Sequence, residues 1–328
     1  MKVSVVVATY NGGKYVYEQL NSIKEQSCKP DEVIICDDGS TDNTIDIIES
    51  FIKRLGHGNN WKLVRNGKRL GYAANFYEGV KRASNDIVFF SDQDDVWEYN
   101  KIKLLKDIFE HKENALAVIC NQKYIDDNGK EISNIVSPVG IEDVSSNFAR
   151  FIYPNIEKVD FDTQVNRNRA TGMAMAVKRL FALRYMGLIY KYKIGHDLIL
   201  GLIAAACGGM YYCRKALVRR RVHACNTSAP MITLKDRSGN IEKHIDGRIG
   251  RLKLMNICLK ELKCVLQIGE LKRLEDALNK MERNIICIYK NDYIGLMKLL
   301  ISRNSMINKR IVLFDIIIAV KNVLGCKV

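Results

Sequence analysis

DEVIICDDGSTDNT, residues 31–44, runs from an apolar stretch straight into a polar cluster. The apolar run at 33–36 has the length and β-branched content of a buried strand. Asp37 and Asp38 end that strand, Gly39 permits a tight turn, and Ser40 or Thr41 is placed to cap a following helix. An amphipathic stretch at 43–55 supplies that helix.

Outward from this unit the same alternation recurs. KVSVVVAT (2–9), WKLVRN (61–66), DIVFFSD (86–92) and ALAVICN (115–121) read as strands, and 13–26 is another amphipathic segment. Short apolar runs alternating with helical segments predict an α/β domain with a mostly parallel sheet. Polar clusters follow three of these strands at their carboxyl ends: TYNGG (9–13), DDGSTDNT (37–44) and SDQDD (91–95). In open α/β sheets that rim is where ligands bind.

Beyond residue 130 the chain is polar and irregular to about 170, which predicts a long surface excursion. GMAMAVK (172–178), GMYYC (209–213) and ALVRRRVH (216–223) read as strands, with a helix in HDLILGLIAAAC (196–207). The expected boundary lies at NTSAPM (226–231). It divides a catalytic domain, 1–230, from a helical region, 231–328, in which Leu271, Leu274, Leu278, Met281, Ile285 and Ile288 form an apolar stripe.

The chain has 328 residues and a net charge of +14, with 19 Lys and Arg against 10 Asp and Glu in residues 231–328. A basic tail suits anionic partners, and charge alone does not choose among them. IVLFDIIIAV (311–320) is too short to span a bilayer; flanked by Lys309, Arg310, Lys321 and Lys327, it is a candidate for peripheral contact with a membrane surface. No uninterrupted apolar run reaches about 18 residues, and the first strand is too short for a signal-peptide core. The ten cysteines form no CxxC pair. These features predict a soluble or peripheral protein of a reducing cytoplasm.

Asp92, Asp94 and Asp95 crowd the end of a strand, where mutual repulsion is unfavourable unless a cation relieves it. A DxD at a strand end suits a hard divalent ion, Mg²⁺ or Mn²⁺, completed by phosphate oxygens and water. An acidic loop opening a helix near Val96 is the bland alternative. For Asp37 and Asp38 the alternatives are plain capping, or acceptance of the imide N–H of a pyrimidine base. Asp197, at the start of a helix, is favoured there by the macrodipole.

SVVVATYNGGKYVYEQLNSI, DEVIICDDGSTDNT, NGKRLGYAANF, NDIVFFSDQDDVW and ATGMAMAVKR occur in an order that resembles the inverting family 2 glycosyltransferases of GT-A fold. SDQDDVW and GHDLILGLIAAACGGMYYC look most like bacterial rhamnosyltransferase-type members. The likeness covers about residues 1–228. It implies that Asp38 contacts the base, with Ala8, Thr9, Tyr10 and Asn75 lining the nucleotide pocket. It implies further that Asp92 approaches the ribose beside Gln93, that Thr171 and Gly172 lie near the sugar, and that Asp94 ligates the metal.

Asp197 takes the place of the family's general base. His223, with Asn226 three residues on, matches a pattern in which a histidine joins the metal site, and Arg219, Arg220 and Arg221 suit a departing diphosphate. Lys68 or Arg69 is a candidate for the diphosphate. The implied donor is a nucleoside diphosphate sugar, dTDP-L-rhamnose or a UDP-sugar, and the implied acceptor a glycan or lipid-linked glycan. A sugar-nucleotide nucleotidyltransferase is the rival enzyme, yet TYNGGKYV is poor in the glycines and cations a triphosphate loop requires. A non-catalytic nucleic-acid or membrane-binding module leaves the acidic rim unexplained, so no nucleic-acid partner is expected.

Overall fold

The structure, a computed structural model, describes residues 1–132, 156–161, 163–164, 170–188, 195–224 and 226, together with Lys272, Glu275, Asn279 and Arg283. The chain divides into two compact units: residues 1–133, 142–159 and 169–229 form the first, and 134–141, 160–168 and 230–328 the second. In the second unit Lys272, Glu275, Asn279 and Arg283 are helical and exposed, at the spacing of one solvated helix face. The apolar stripe expected beside them and the segment 311–320 lie outside the described residues.

The first unit opens with β1 (Val3–Thr9), α1 (Val16–Lys24), β2 (Glu32–Asp37), α2 (Thr44–Arg54), β3 (Trp61–Arg65), α3 (Tyr72–Arg82) and β4 (Ile87–Asp92). It continues with β5 (Val96–Trp97), α4 (Lys101–His111), β6 (Ala117–Ile125), β7 (Ile156–Lys158), a 3-10 turn (Gly172–Ala174), β8 (Met175–Lys178), α5 (Arg179–Met186), α6 (His196–Ala206) and β9 (Met210–Arg221). The sheet order is β3-β2-β1-β4-β8-β6-β9-β5, with β7 also paired to β9.

β1, β2, β3 and β4 are parallel, whereas β8 runs antiparallel to both β4 and β6. β1, β2 and β4 are buried on both faces because helices cover both, whereas β3 at the sheet edge exposes Lys62 and Arg65. Val3, Val5 and Val7 of β1 pack with Val16, Leu20, Ile48 and Phe51 of α1 and α2, while Phe76 of α3 meets Phe90 of β4 edge to face at 5.4 Å. Gly79 lets α3 lie against the strands, since a Cβ there would come within 2.2 Å of Val6.

Register then levels the ends of these strands. Ala8 pairs with Cys36 on one side and with Asp92 on the other, and Thr9 pairs with Asp37. The carboxyl ends of β1, β2 and β4 therefore share one rim, at the place where strand order reverses across β1.

Several expectations are corrected. No helix opens near Val96: Val96 and Trp97 form β5 against Arg219 and Val218, and α4 begins at Lys101. The two strands expected at 209–213 and 216–223 are one, β9, which passes a register irregularity against β6 near Asn121. Residues 172–174 are a 3-10 turn, and β8 starts only at Met175.

Candidate active site

At the end of β2 two adjacent aspartates have different tasks. Asp37 accepts hydrogen bonds from the Thr9 hydroxyl at 2.9 Å, from Gly39 N–H at 3.0 Å, from Ser40 N–H at 2.8 Å and from the Ser40 hydroxyl. It locks the turn whose Gly39 sits at φ 87°, in the left-handed region. The Thr9 side chain is buried and committed to Asp37.

Asp38 turns the other way. Its carboxylate accepts from Leu70 N–H at 2.7 Å, Gly71 N–H at 2.8 Å and Asn66 Nδ2 at 3.0 Å, so it shapes the loop between β3 and α3. A carboxylate offers about four acceptor positions, which leaves one for a ligand. Asn75, expected in the nucleotide pocket, is engaged by the scaffold. It is buried, donates to Cys36 O at 2.7 Å and accepts from Asn66 at 2.8 Å.

Gln93 also serves the scaffold. Its side-chain oxygen accepts from Tyr10 N–H at 2.8 Å and its Nε2 donates to Tyr10 O at 2.9 Å, a two-point clasp between the loops after β1 and β4. Gly12 makes room for the clasp, since a Cβ there would sit 2.2 Å from Gln93 Oε1. Beside it Ala8 is half-buried, and the Arg69 guanidinium lies 3.9 Å from the centre of the Tyr10 ring. Arg69 is thus held at the rim by a cation–π contact.

The acidic loop has three distinct carboxylates. Burial, then the charges of Asp94 and Asp197, push Asp92 up to about 7, against the opposing pull of Arg220 and Lys101. Asp95 is buried; it accepts from Arg221 N–H at 3.0 Å through Oδ1, while Oδ2 has no hydrogen-bond partner among the described residues. Burial first, then Asp94 and Asp92, hold its pKa well above the carboxylate range, so Asp95 favours its neutral form.

Asp94 faces a ligand-like group. Its Oδ2 lies 2.8 Å from His223 Nε2 and 3.2 Å from Asn226 Nδ2, and Asn226 accepts from His223 N–H at 2.6 Å. The His223 ring packs against Tyr15 at 4.8 Å.

The three arginines of β9 do not form one cationic patch: strand geometry turns Arg220 to the face opposite Arg219 and Arg221, and those two have separate partners. Arg219 pairs with Glu98 at 3.3 Å, outside the acidic loop. Arg221 is a buried brace: Nε donates to Asp94 O at 3.0 Å, Nη1 to Asp126 O and Asp127 O, and Nη2 to Glu18. Only Arg220 acts on Asp92, through its charge. Beneath the loop lies Lys101, fully buried, donating to Met173 O and 3.5 Å from the Trp97 ring centre. Burial lowers its pKa to about 8.

Asp197 begins α6 on the opposite wall. A Cβ on Gly195 would stand 2.7 Å from Asp197 Oδ1 and 3.3 Å from the Tyr72 hydroxyl. Next to it His196 is buried among Phe76 at 4.5 Å and Phe90 at 4.6 Å, and burial lowers its pKa. Gly172 is required by this ring, because its Cβ would meet His196 Nε2 at 2.8 Å; Thr171 precedes it, half-buried.

Residues 4–183 match the family model described as Glycosyl transferase family 2. The chain belongs to glycosyl transferase family 2. Among curated family 2 relatives, the dTDP-rhamnosyl transferase RfbG of Shigella flexneri is 41% identical over 101 residues, 30% of this chain and 34% of that one. An uncharacterized glycosyltransferase of Nostoc sp. is 30% identical over 155 residues, 44% of this chain and 45% of that one. The chain thus spans less than half the length of these relatives. In three dimensions it is similar to residues 1–349 of Staphylococcus aureus TarS in complex with UDP-GlcNAc, with a TM-score of 0.61 at 16% identity, covering 99% of this chain and 92% of that one. That likeness concerns the fold, GT-A.

The family 2 site fits a divalent ion in a particular way. Among the described residues no three His, Cys, Asp or Glu converge as a cage, so a closed all-protein site is not built. Asp94 Oδ2 and His223 Nε2, 2.8 Å apart, are spaced like neighbouring ligands on an octahedral ion with bonds of about 2.1 Å. Such a two-ligand site leaves the other positions for phosphate oxygens and water. Tyr72, Asn66, Tyr15 and Arg221's bracing role were not foreseen from sequence. Tyr72 and Asn66 stand in NGKRLGYAANF, Tyr15 in SVVVATYNGGKYVYEQLNSI and Arg221 in the arginine run before His223, and nothing in their spacing set them apart.

Proposed function

We propose that this family 2 chain transfers a glycosyl group from a nucleoside diphosphate sugar to an acceptor hydroxyl, inverting the anomeric carbon. The observation that carries the reading is electrostatic: Asp94 and Asp197, from walls more than a hundred residues apart in sequence, both act on Asp92. Carboxylates crowded to that degree suit a site that receives a cation and a substrate between them.

In this reading the donor's base lies by Tyr10 and the remaining acceptor position of Asp38, and Asp92 meets the ribose. Asp94 and His223 would hold Mg²⁺ or Mn²⁺, which when bound neutralises charge on the leaving diphosphate. Asp197 removes the proton of the acceptor hydroxyl. That oxygen forms the new bond to the anomeric carbon as the bond to the diphosphate oxygen breaks, and nucleoside diphosphate departs.

The donor is dTDP-L-rhamnose or a UDP-sugar, a choice supported by the likeness to RfbG, named a dTDP-rhamnosyl transferase, and by the TarS complex with UDP-GlcNAc. The acceptor is a hydroxyl of a glycan or lipid-linked glycan precursor, with the basic region 231–328 suited to an anionic lipid surface. A thermal-shift screen of nucleotide sugars with and without Mn²⁺, followed by assay of nucleoside diphosphate release, tests the proposal. Asp94→Ala should abolish Mn²⁺-dependent donor binding and transfer; Asp197→Ala should lose transfer and keep the donor. Wild-type donor affinity in the first variant or substantial turnover in the second would overturn the assignment concerned.

A further inference from the structure

We infer that Tyr72 and the bare backbone of Gly195 form, with Asp197, the notch that receives the acceptor, Tyr72 being an acceptor-contacting residue. The inference rests on the transfer reading above and adds to it the wall against which the second substrate sits.

Gly195 supplies the first argument. Its backbone is at φ −61°, ψ 136°, which any residue adopts, so turn geometry does not demand glycine. Space demands it. A Cβ would enter between Asp197 Oδ1 and the Tyr72 hydroxyl, at 2.7 and 3.3 Å. Glycine keeps a gap open between a carboxylate and a phenol, the two kinds of group that orient a hydroxyl.

Tyr72 supplies the second. It opens α3 directly after Gly71, whose N–H is held by Asp38, so its backbone is fixed by the donor side of the site. Yet 51% of the residue stays exposed, so part of the ring is open to solvent. The ring's edge approaches His196 at 6.4 Å, and the hydroxyl has no hydrogen-bond partner among the described residues. Burial of its inner part and the charges of Asp197 and Asp92 raise its pKa, so the phenol keeps its proton and remains a donor. A ring with one open face and a free hydroxyl is the combination that grips a sugar, apolar C–H surface against the ring and a hydroxyl at its tip.

The step itself is unchanged: the acceptor O–H proton goes to Asp197 and the oxygen bonds to the anomeric carbon. Tyr72 hydrogen-bonds a neighbouring group of the acceptor and aligns that oxygen.

The test uses the whole chain, with a panel of n-octyl glycosides as acceptor probes and the donor found by the screen. Tyr72→Phe should raise the acceptor KM about tenfold and Tyr72→Ala about a hundredfold, while donor affinity by thermal shift stays at the wild-type value. Gly195→Ala should lose transfer and retain the donor. Where no octyl glycoside is used, donor hydrolysis takes its place, with water as acceptor, and Gly195→Ala should slow it at least about tenfold. Unaltered acceptor KM in both Tyr72 variants, unaltered hydrolysis in Gly195→Ala, or weakened donor binding in Tyr72→Phe overturns the inference. Absence of nucleoside diphosphate release by the wild-type chain is a different result, and it sinks the transfer reading itself.

Discussion

Asp92 is the residue in which the site's electrostatics can be read most directly. Its pKa is raised from 3.8 to about 7, first by burial and then by Asp94 and Asp197. Between those values the folded chain holds a proton that the unfolded chain has released, so stability falls as pH rises through that window. Asp92→Asn removes the liability. Its melting temperature at pH 8 should exceed the parent's by about 2–4 °C, and the difference should vanish near pH 4, as thermal melts across that range would show. Mn²⁺ should narrow the gap by supplying the missing positive charge. None of this was legible in SDQDDVW beyond the crowding itself, because the third carboxylate comes from α6.

Among the elements β9 joins the most distant parts of the site. Its last residue, Arg221, binds carbonyls of Asp94, Asp126 and Asp127 and the carboxylate of Glu18. A guanidinium presents its donors in a fixed fork, which an ammonium does not reproduce. Arg221→Ala leaves several half-buried acceptors unpaired and should destabilise the chain by about 1–3 kcal/mol in chemical denaturation. Arg221→Lys should recover only part of that and still weaken Mn²⁺-dependent donor binding, since the Asp94 main chain is no longer gripped. The sequence MYYCRKALVRRR hides this strand: its central Arg214 and Lys215 interrupt the apolar pattern, which is why two strands were expected. β5 is obscured for a related reason. Two residues carry no periodicity, and Val96 and Trp97 become a strand only because β9 offers them an edge.

At the scale of the first unit, the parallel half of the sheet makes the rim proposed for the donor, the part beyond β8 brings in β9, and α6 brings in Asp197. A donor that binds only the folded arrangement stabilises it by mass action, by about 2.7 kcal/mol at a hundred times its Kd. Calorimetry should show that gain with Mn²⁺ and a much smaller one in Asp94→Ala; equal gains in both would remove the metal from the site.

The amino-acid sequence by itself determined the α/β alternation, the strands β1, β2 and β4, and the polar clusters at their ends. These follow from local apolar periodicity and from residues that stop strands, both written in contiguous sequence. Tertiary structure alone decided which polar groups face a ligand and which satisfy one another. Thr9, Asn75 and Gln93 carry the chemistry expected of ligand-binding residues, yet each pairs with main chain or side chains that are remote in sequence. Tyr72, Gly195 and Asp197 meet only because α3 and α6 arrive at the same rim, and no local pattern encodes that meeting.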